Sequence, residues 1–396
     1  MKYDSIDESF IDGVKRTVSN RKTSCYPCLI RSMNGCFPTT LVSVLAELEV
    51  EDQTCEWHDK VRGWDVPLHT GFFPHILDSD WRYSKPSVAR LLDLALRQSG
   101  LGSSFIHIGS PSTYKEALRS FPNIGRHWLF DKNALRHQAE QSLSIQGDES
   151  VDFAIIDPPW YPEESRLFVN VARDYLKPGA LVFMVQPAQL TRPGVLKERM
   201  SLLQNLALDG FAYIATRPDF VRYETPHFEW VTLQRQLDSL VPADWRLGDL
   251  IILRYASNSR SSESNSFHFD SQPTEDLWAE ESLGPMRIKI RRAPSANRTT
   301  FQPIGDLGMC QNVSRRDPLF REVGIWTTGN RVFYSRDMLQ AQEIVSELRQ
   351  LAIRVSLNER SCAAALKKSG MNAYLADSTA KIIIEDIMEH FEHAAV

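Results

Sequence analysis

The sequence predicts an α/β fold: a parallel sheet covered by helices on both faces, with an N-terminal extension and a smaller C-terminal α+β region. Three observations predict it. Short strand-like runs alternate with helical segments from residue 104 to residue 255, the pattern of βαβ units. Val151 to Ile156 is a nearly continuous apolar run, as expected of a strand buried on both faces, and it stops at Asp157-Pro158-Pro159-Trp160. Beyond a Ser-rich stretch at 256–275 the pattern changes to short arginine-rich strands followed by helices.

Taken in order, residues 1–20 are polar and read as loosely ordered. Residues 25–60 hold Cys25-Tyr-Pro-Cys28 and a helical stretch from Thr39 to Glu49. Apolar spacing around Leu91, Leu92 and Ala95 makes 80–100 a helix that ends near Gly100. Ser104 to Ile108 is then a strand, Tyr114 to Ser120 a helix, His127 to Phe130 and Val151 to Ile156 strands. Leu167 to Leu176 is a helix closed by Lys177-Pro178-Gly179, and Ala180 to Val185 a strand. Gly194 to Leu208 is a helix and Phe211 to Ala215 a strand. Thr225-Pro226 opens another helix, with Thr as N-cap and Pro in the first position. Leu250 to Tyr255 is the last strand of the sheet. Met286 to Arg291 and Gly324 to Phe333 read as short strands with a turn at Gly329-Asn330, and 337–352 and 374–393 as helices. The expected organisation is an extension over 1–77, a central domain over 78–256, a linker over 257–275 and an accessory region over 276–396.

The length of 396 residues is too great for one compact core. A hydrophobic share of 42% with 24% charged residues is that of soluble globular protein. The net charge of −5 excludes a polycation that binds nucleic acid without selection, although a local basic patch remains allowed. No apolar run approaches the roughly 18–20 residues of a membrane span, and the first residues carry no apolar leader. Six cysteines in this length are no disulfide framework, so the expected compartment is the reducing cytoplasm.

Chemistry concentrates at Asp157-Pro158-Pro159-Trp160. The prolines cannot continue a central ladder, so Asp157 is fixed at the carboxyl end of a strand, where open α/β sheets place ligands. The same prolines hold the Asp157 carboxylate and the Pro158 carbonyl in one geometry beside a flat aromatic. Two acceptors next to a stacking surface suit a planar amine, such as the exocyclic amine of adenine. Upstream, the loop Gly109-Ser110-Pro111-Ser112-Thr113-Tyr114 follows the first strand with a single glycine, and Asp131 ends the second strand, where an acid can meet ribose hydroxyls.

Asp-Pro-Pro-aromatic resembles the catalytic signature of S-adenosylmethionine (SAM)-dependent amino methyltransferases. Ser-Asp-Trp-Arg-Tyr-Ser at 79–84, then Gly-Ser-Pro-Ser-Thr-Tyr at 109–114, Phe-Asp at 130–131 and Asp-Pro-Pro-Trp together resemble the family of probable N6-adenine methyltransferases. Its eukaryotic relatives include an elongation-factor lysine methyltransferase and a ribosomal-RNA adenine methyltransferase. The resemblance covers about residues 78–255. It implies a Rossmann-like class I methyltransferase sheet, SAM as cofactor, and methyl transfer to an exocyclic amine, foremost N6 of adenine in DNA or RNA. A protein lysine is the alternative acceptor, and a non-catalytic SAM-fold nucleic-acid-binding protein the alternative without catalysis. The implied catalytic residues are Asp157, Pro158, Pro159 and Trp160. The implied cofactor residues are Trp81, Tyr83, Gly109, Ser110, Pro111, Tyr114 and Asp131. Tyr161, Arg222, Tyr223 and Phe228 are the substrate-side candidates, and the transfer needs no metal. Two departures stand out: the messenger-RNA adenine methyltransferases share the Trp but place the cofactor loop after the catalytic motif, and no acid suited to the adenine of SAM follows the third strand, Asp148 being poorly placed.

Cys25-x2-Cys28 and Cys55-x2-His58 have the spacing of zinc ligand pairs, with Cys36 and His69 as spares. The long gap between the pairs, and Tyr-Pro inside the first, favour buried unliganded thiols, as for Cys310 and Cys362. His107, inside a strand, reads as a satisfied core histidine. Arg291, Arg292, Arg315, Arg316, Arg321, Arg331 and Arg336 form the basic piece that inclines the reading toward nucleic acid over a protein substrate.

Overall fold

The structure is a computed structural model. It describes residues 8–21, 25, 28–29, 32–33, 35–51, 73–100, 102–123, 125–131, 150–237, 244–256, 277–292, 301–305, 308–310, 314, 316–335, 338–354, 357–369, 371 and 373–393. The chain forms two compact units. The first comprises Met1–Arg62, Trp81–Glu224 and Asp244–Phe267; the second comprises Gly63–Asp80, Thr225–Ala243 and His268–Val396. Residues 257–275 of the Ser-rich stretch lie outside the described residues.

The first unit carries the Rossmann-like sheet. Its strands are β1 (Phe105–Ile108), β2 (His127–Phe130), β3 (Val151–Ile156), β4 (Leu176–Pro187), β5 (Phe211–Tyr223) and β6 (Arg246–Tyr255), in the order β2-β1-β3-β4-β6-β5. The first four are parallel, and their residues alternate between two cores. Ile106, Ile108, Ala154, Ile156, Val182 and Met184 face one core with Phe168, Val169 and Leu202. Phe105, Phe153, Ile155, Phe183 and Val185 face the other with Leu91, Leu92 and Ala95. Helices Pro162–Arg173 and Val195–Leu208 supply the first set of helical residues and helix Lys85–Ser99 the second, so both faces are covered.

The sheet is not wholly parallel, as the alternation suggests. β6 runs antiparallel between β4 and β5. The helix after β5, His227–Leu237, belongs to the second unit, so it is no crossover helix of this sheet and the chain returns antiparallel. β4 also begins earlier than expected. Leu176 already pairs with Val151, and Lys177-Pro178-Gly179 bulge out of register rather than closing a helix. The N-terminal segment needs a further correction. Residues 8–21 form a helix with Phe10 and Val14 buried, so two apolar anchors outweigh a polar composition.

The second unit holds a five-stranded antiparallel sheet ordered β7-β8-β10-β11-β9. These strands are β7 (Trp278–Leu283), β8 (Met286–Arg291), β9 (Gln302–Pro303), β10 (Ile325–Thr327) and β11 (Val332–Tyr334). Helices Met338–Ile353, Glu359–Lys368 and Ala373–His393 cover it through Ile288, Ile290, Phe333, Ile344, Leu348, Leu366 and Ile383. This is the smaller α+β region expected from the sequence. Among the described residues no helix is long and apolar enough to cross a membrane.

Candidate active site

The strand order reverses at β1, with β2 on one side and β3 then β4 on the other. Open α/β sheets bind ligands outside the carboxyl ends at such a switch point. In-register pairing sets Ile108 beside Phe130 on one side and beside Ile156 on the other. The residues that follow, Asp131, Gly109 and Asp157, therefore leave three neighbouring strands in a row. With strands about 4.8 Å apart, the backbones of the two acidic residues stand roughly 10 Å from each other across Gly109.

Backbone bonds lock the row. The Gly109 N–H donates to the Phe130 carbonyl at 2.8 Å and the Asp157 N–H to the Ile108 carbonyl at 3.0 Å. Gly109 has φ +63°, and a Cβ there would lie 2.6 Å from the Asp157 carbonyl oxygen and 2.8 Å from the Phe168 ring. Helix Pro111–Ser120 starts two residues later. Its first turn is tied down from below: Ser110 Oγ meets Thr113 Oγ1 at 2.7 Å, and Thr113 Oγ1 meets His107 Nδ1 at 2.8 Å. His107 Nε2 faces His127 Nδ1 at 3.1 Å. His107 is thus the satisfied core histidine expected, and burial, helped by His127, holds its pKa well below the ordinary value. Tyr114 is buried edge-on against His107, with ring centroids 5.8 Å apart.

On the other side of the row, Tyr223 Oη donates to Asp157 Oδ1 at 2.6 Å. Tyr83 forms an isolated antiparallel bridge with Tyr223, and their rings lie 4.9 Å apart. Burial, and then the Asp157 charge, push both phenols well above their ordinary pKa, so both remain neutral. The Trp160 ring stands edge-on to Tyr223 at 5.4 Å. The Trp160 carbonyl accepts from Arg192 Nη2 at 3.4 Å, and Arg192 is paired with Glu198 at 2.6 Å. The Pro159 carbonyl accepts from the Tyr161 N–H at 2.7 Å, which tightens the turn into helix Pro162–Arg173.

The structure therefore brings together Asp157, Pro158, Pro159, Trp160, Tyr83 and Tyr223, and beside them Gly109, Ser110, Pro111 and Asp131. Tyr83, read from the sequence as a cofactor residue, lies against the substrate-side candidate Tyr223. Tyr161 is half-buried at the helix start. Arg222 is exposed, 3.9 Å from Asp244. Phe228 belongs to the second unit, where it is fully buried.

Sequence reasoning missed Arg246, Trp245 and Phe37. Arg246 pairs in register with Tyr223, and its Cζ lies 5.7 Å from the Trp160 ring centroid and 5.6 Å from that of Trp81. Gly248 hid the start of β6, because glycine reads as a strand breaker. Here it is required, since a Cβ would lie 2.7 Å from Val185 Cγ1 and 2.9 Å from Val221 Cγ2.

Two arginines of the basic piece are engaged inside their unit. Arg291 lies over Trp278 and Phe320 and donates to the Phe320 and Arg321 carbonyls at 2.7 Å. Arg331 is buried, 3.5 Å from Glu385. Arg292, Arg316 and Arg321 are exposed, and Arg315 and Arg336 lie outside the described residues. Of the zinc candidates, Cys25 is buried and Cys28 half-buried, while Cys55, His58 and His69 lie outside the described residues. Among the described residues no three His, Cys, Asp or Glu side chains group as a metal site. Burial pushes the Cys36 and Cys362 thiols up to about 12 and that of Cys310 higher still, as packed thiols require.

The chain matches no family model and no curated protein. Among solved structures it is similar to a branched-chain polyamine synthase from Thermus thermophilus, in complex with N4-aminopropylspermidine and 5'-methylthioadenosine. That match has TM-score 0.44 and 14% identity over 62% of this chain and 88% of the other. It is also similar to the N-methyltransferase NodS from Bradyrhizobium japonicum, with TM-score 0.28 and 14% identity over 44% of this chain and 99% of the other. A SAM-dependent O-methyltransferase from Thermotoga maritima matches with TM-score 0.30 and 14% identity over 47% and 73%.

Proposed function

We propose that this chain is a SAM-dependent N-methyltransferase whose acceptor is the N6 amine of adenine in DNA or RNA. The observation that carries the reading is the row at the switch point: Asp131, Gly109 and Asp157 on adjacent strand ends, with Tyr223 bonded to Asp157.

The residues present fit the cofactor. Gly109 keeps the loop free of a side chain where it meets Asp157, and the start of helix Pro111–Ser120 offers backbone N–H groups. Asp131 ends β2, where ribose hydroxyls would be met. When bound, SAM supplies an electrophilic methyl group and a neutral thioether leaving group. Asp157 accepts one N–H of the acceptor amine and the Pro158 carbonyl accepts the other. The amine lone pair is delocalised into the base, so these acceptors favour the pyramidal nitrogen on which positive charge develops. Tyr223, neutral and bonded to Oδ1, holds the carboxylate in that orientation. As the nitrogen–methyl bond forms, the surplus N–H proton leaves toward Asp157 and on to solvent. Trp160 stacks on the base. A base in a duplex must first leave the stack, which costs on the order of a few kcal/mol.

Arg331 is buried and Arg291 is engaged by Trp278 and Phe320, so neither supports a nucleic-acid acceptor, and that choice rests chiefly on the acceptor side. Calorimetry of the full chain with S-adenosylhomocysteine tests the cofactor half; one-to-one binding is expected, and no heat from folded protein removes the reading. Mass spectrometry after single turnover on an adenine-containing single-stranded oligonucleotide tests the acceptor half. Methylation of a lysine peptide with none on the oligonucleotide would replace adenine by protein.

A further inference from the structure

Arg246 opens β6 directly beside Tyr223, yet nothing in the transfer chemistry above uses it. Its guanidinium carbon lies 5.2 Å from the Phe37 ring centroid, 5.6 Å from those of Trp81 and Trp245, and 5.7 Å from that of Trp160. All four are within the roughly 6 Å at which a cation is attracted to a ring face. The residue is only 8% exposed, so the attraction acts with little competing water. The backbone closes on it as well: Gly35, at φ +86°, leaves room so tight that a Cβ would lie 3.0 Å from the Arg246 Cα.

Two of these rings adjoin the transfer site. Trp160 follows Asp157-Pro158-Pro159 and stands edge-on to Tyr223, whose hydroxyl holds Asp157. Trp81 is two residues from Tyr83. Aromatic cages of this kind recognise alkylammonium groups when their centre is empty. Here the centre is filled by the chain's own cation.

We propose that Arg246 is a specificity-determining residue, the built-in occupant of an aromatic cage that keeps alkylammonium acceptors out of the transfer site. Its charge repels an incoming ammonium, and it engages the rings that would otherwise bind one. A neutral flat amine needs no cage and carries no charge to be repelled. Selectivity of this sort comes from a repulsive element as much as from an attractive one. The proposal rests on the transfer site lying at Asp157, but its test reads binding and needs no catalysis.

Tryptophan fluorescence of the full chain is titrated with tetramethylammonium chloride against sodium chloride at equal ionic strength, for wild type, R246M and R246K. R246M empties the cage of charge, and a saturable quench at least tenfold tighter than in wild type is expected. R246K retains an ammonium and should behave as wild type. An R246M protein with a wild-type circular dichroism spectrum that shows no saturable quench overturns the proposal, and so does a wild-type quench as tight as that of R246M. If R246M does not fold, wild type decides through competition between spermidine and the adenine oligonucleotide as methyl acceptors. At least a hundredfold preference for the oligonucleotide is expected, and equal transfer to spermidine overturns the proposal. Absence of S-adenosylhomocysteine binding would sink the methyltransferase reading while leaving the quench result interpretable.

Discussion

Tyr223 Oη donates to Asp157 Oδ1 at 2.6 Å although the two residues end strands separated by two others in the sheet. β6 is antiparallel to both β4 and β5, so β5 is parallel to β4 and finishes at the same carboxyl edge as β3. The antiparallel insertion thus carries the Tyr223 hydroxyl to the edge where Asp157 stands.

Tyr223→Phe keeps the ring against Tyr83 and Trp160 and removes only the donor. A hydrogen bond to a charged group is worth roughly 1.5–3 kcal/mol, so kcat should fall on the order of tenfold to a hundredfold. S-adenosylhomocysteine affinity should hold within about twofold, because the residues proposed to meet the cofactor, Gly109 and Asp131, follow β1 and β2 and not β5. Single-turnover rates and calorimetry of the variant check this, and an unchanged rate excludes the orienting role.

Tyr83 and Tyr223 should resist ionisation. Both phenols are raised well above their ordinary value of 10.0, by burial first and the Asp157 charge second. A raised folded pKa means that the stabilising condition holds in full below the unfolded value and is lost as pH rises past it. Ultraviolet titration near 295 nm should show these two tyrosines ionising only together with alkaline unfolding above about pH 10. Reversible ionisation of all 11 tyrosines in folded protein below that point would contradict the burial on which the acceptor side rests.

Gly109→Ala should damage both fold and cofactor binding. The left-handed backbone alone costs a residue with Cβ about 1–2 kcal/mol, and the new methyl would lie 2.6 Å from the Asp157 carbonyl oxygen. Relief requires β1 and β3 to part where they form the row. Thermal melting should shift down, and S-adenosylhomocysteine affinity should drop at least tenfold at a temperature where the variant is folded. A variant with wild-type affinity would show that the loop does not meet the cofactor.

Much of this site was legible because it is local. A strand run into two prolines fixes Asp157 at an edge, and the βα alternation places Gly109 and Asp131 on the same edge through parallel register. What was not legible depends on pairing at long range. Tyr83 reaches Tyr223 across 140 residues of sequence, and Arg246 finds Phe37 from a stretch that Gly248 disguises as loop. Composition also misleads where charge is buried. Arg291 and Arg331 look like a surface patch in sequence, yet their partners, the Phe320 carbonyl and Glu385, lie about 30 and 50 residues away. Helix Glu8–Arg21 was missed because two buried side chains suffice to hold a polar segment.

Acid should destabilise the second unit in two stages. Burial holds His75 down to about 3 and therefore neutral. A lowered folded value means that stability is complete above the unfolded value of 6.5 and falls as pH drops toward 3, by up to about 1.4 kcal/mol per pH unit. Against the opposing effect of burial, Arg287 holds the Asp78 carboxyl below its ordinary range, and Arg287 with Lys289 holds Glu280 at about 2. These contributions are lost below about pH 4.5. Asp78→Asn removes one of the two carboxylates that pair with buried Arg287 and half-buried Lys289, Glu280 remaining as the other, and should cost about 1.5–3 kcal/mol. Urea titrations at pH 7, 5.5 and 4 follow both effects; equal stability at the three values in wild type would mean that His75 is not buried as described.

Asp157→Ala should abolish methyl transfer and leave cofactor affinity nearly intact. In the proposed function the carboxylate meets the acceptor amine, whereas Gly109 and Asp131, assigned to the cofactor, stand on the neighbouring strand ends. Its interaction strengthens as charge develops on nitrogen, so the loss belongs to kcat and not to binding. Asp157→Asn separates charge from geometry: the amide can still accept from the amine and from Tyr223, so a partial rate is expected. Trp160→Ala should raise the acceptor KM, because base–aromatic stacking is worth about 1–3 kcal/mol, and Trp160→Phe should be milder because a stacking face remains. If transfer to the oligonucleotide persists unchanged in Asp157→Ala, the strand-end carboxylate has no part in the reaction, and the acceptor must lie elsewhere on the sheet edge.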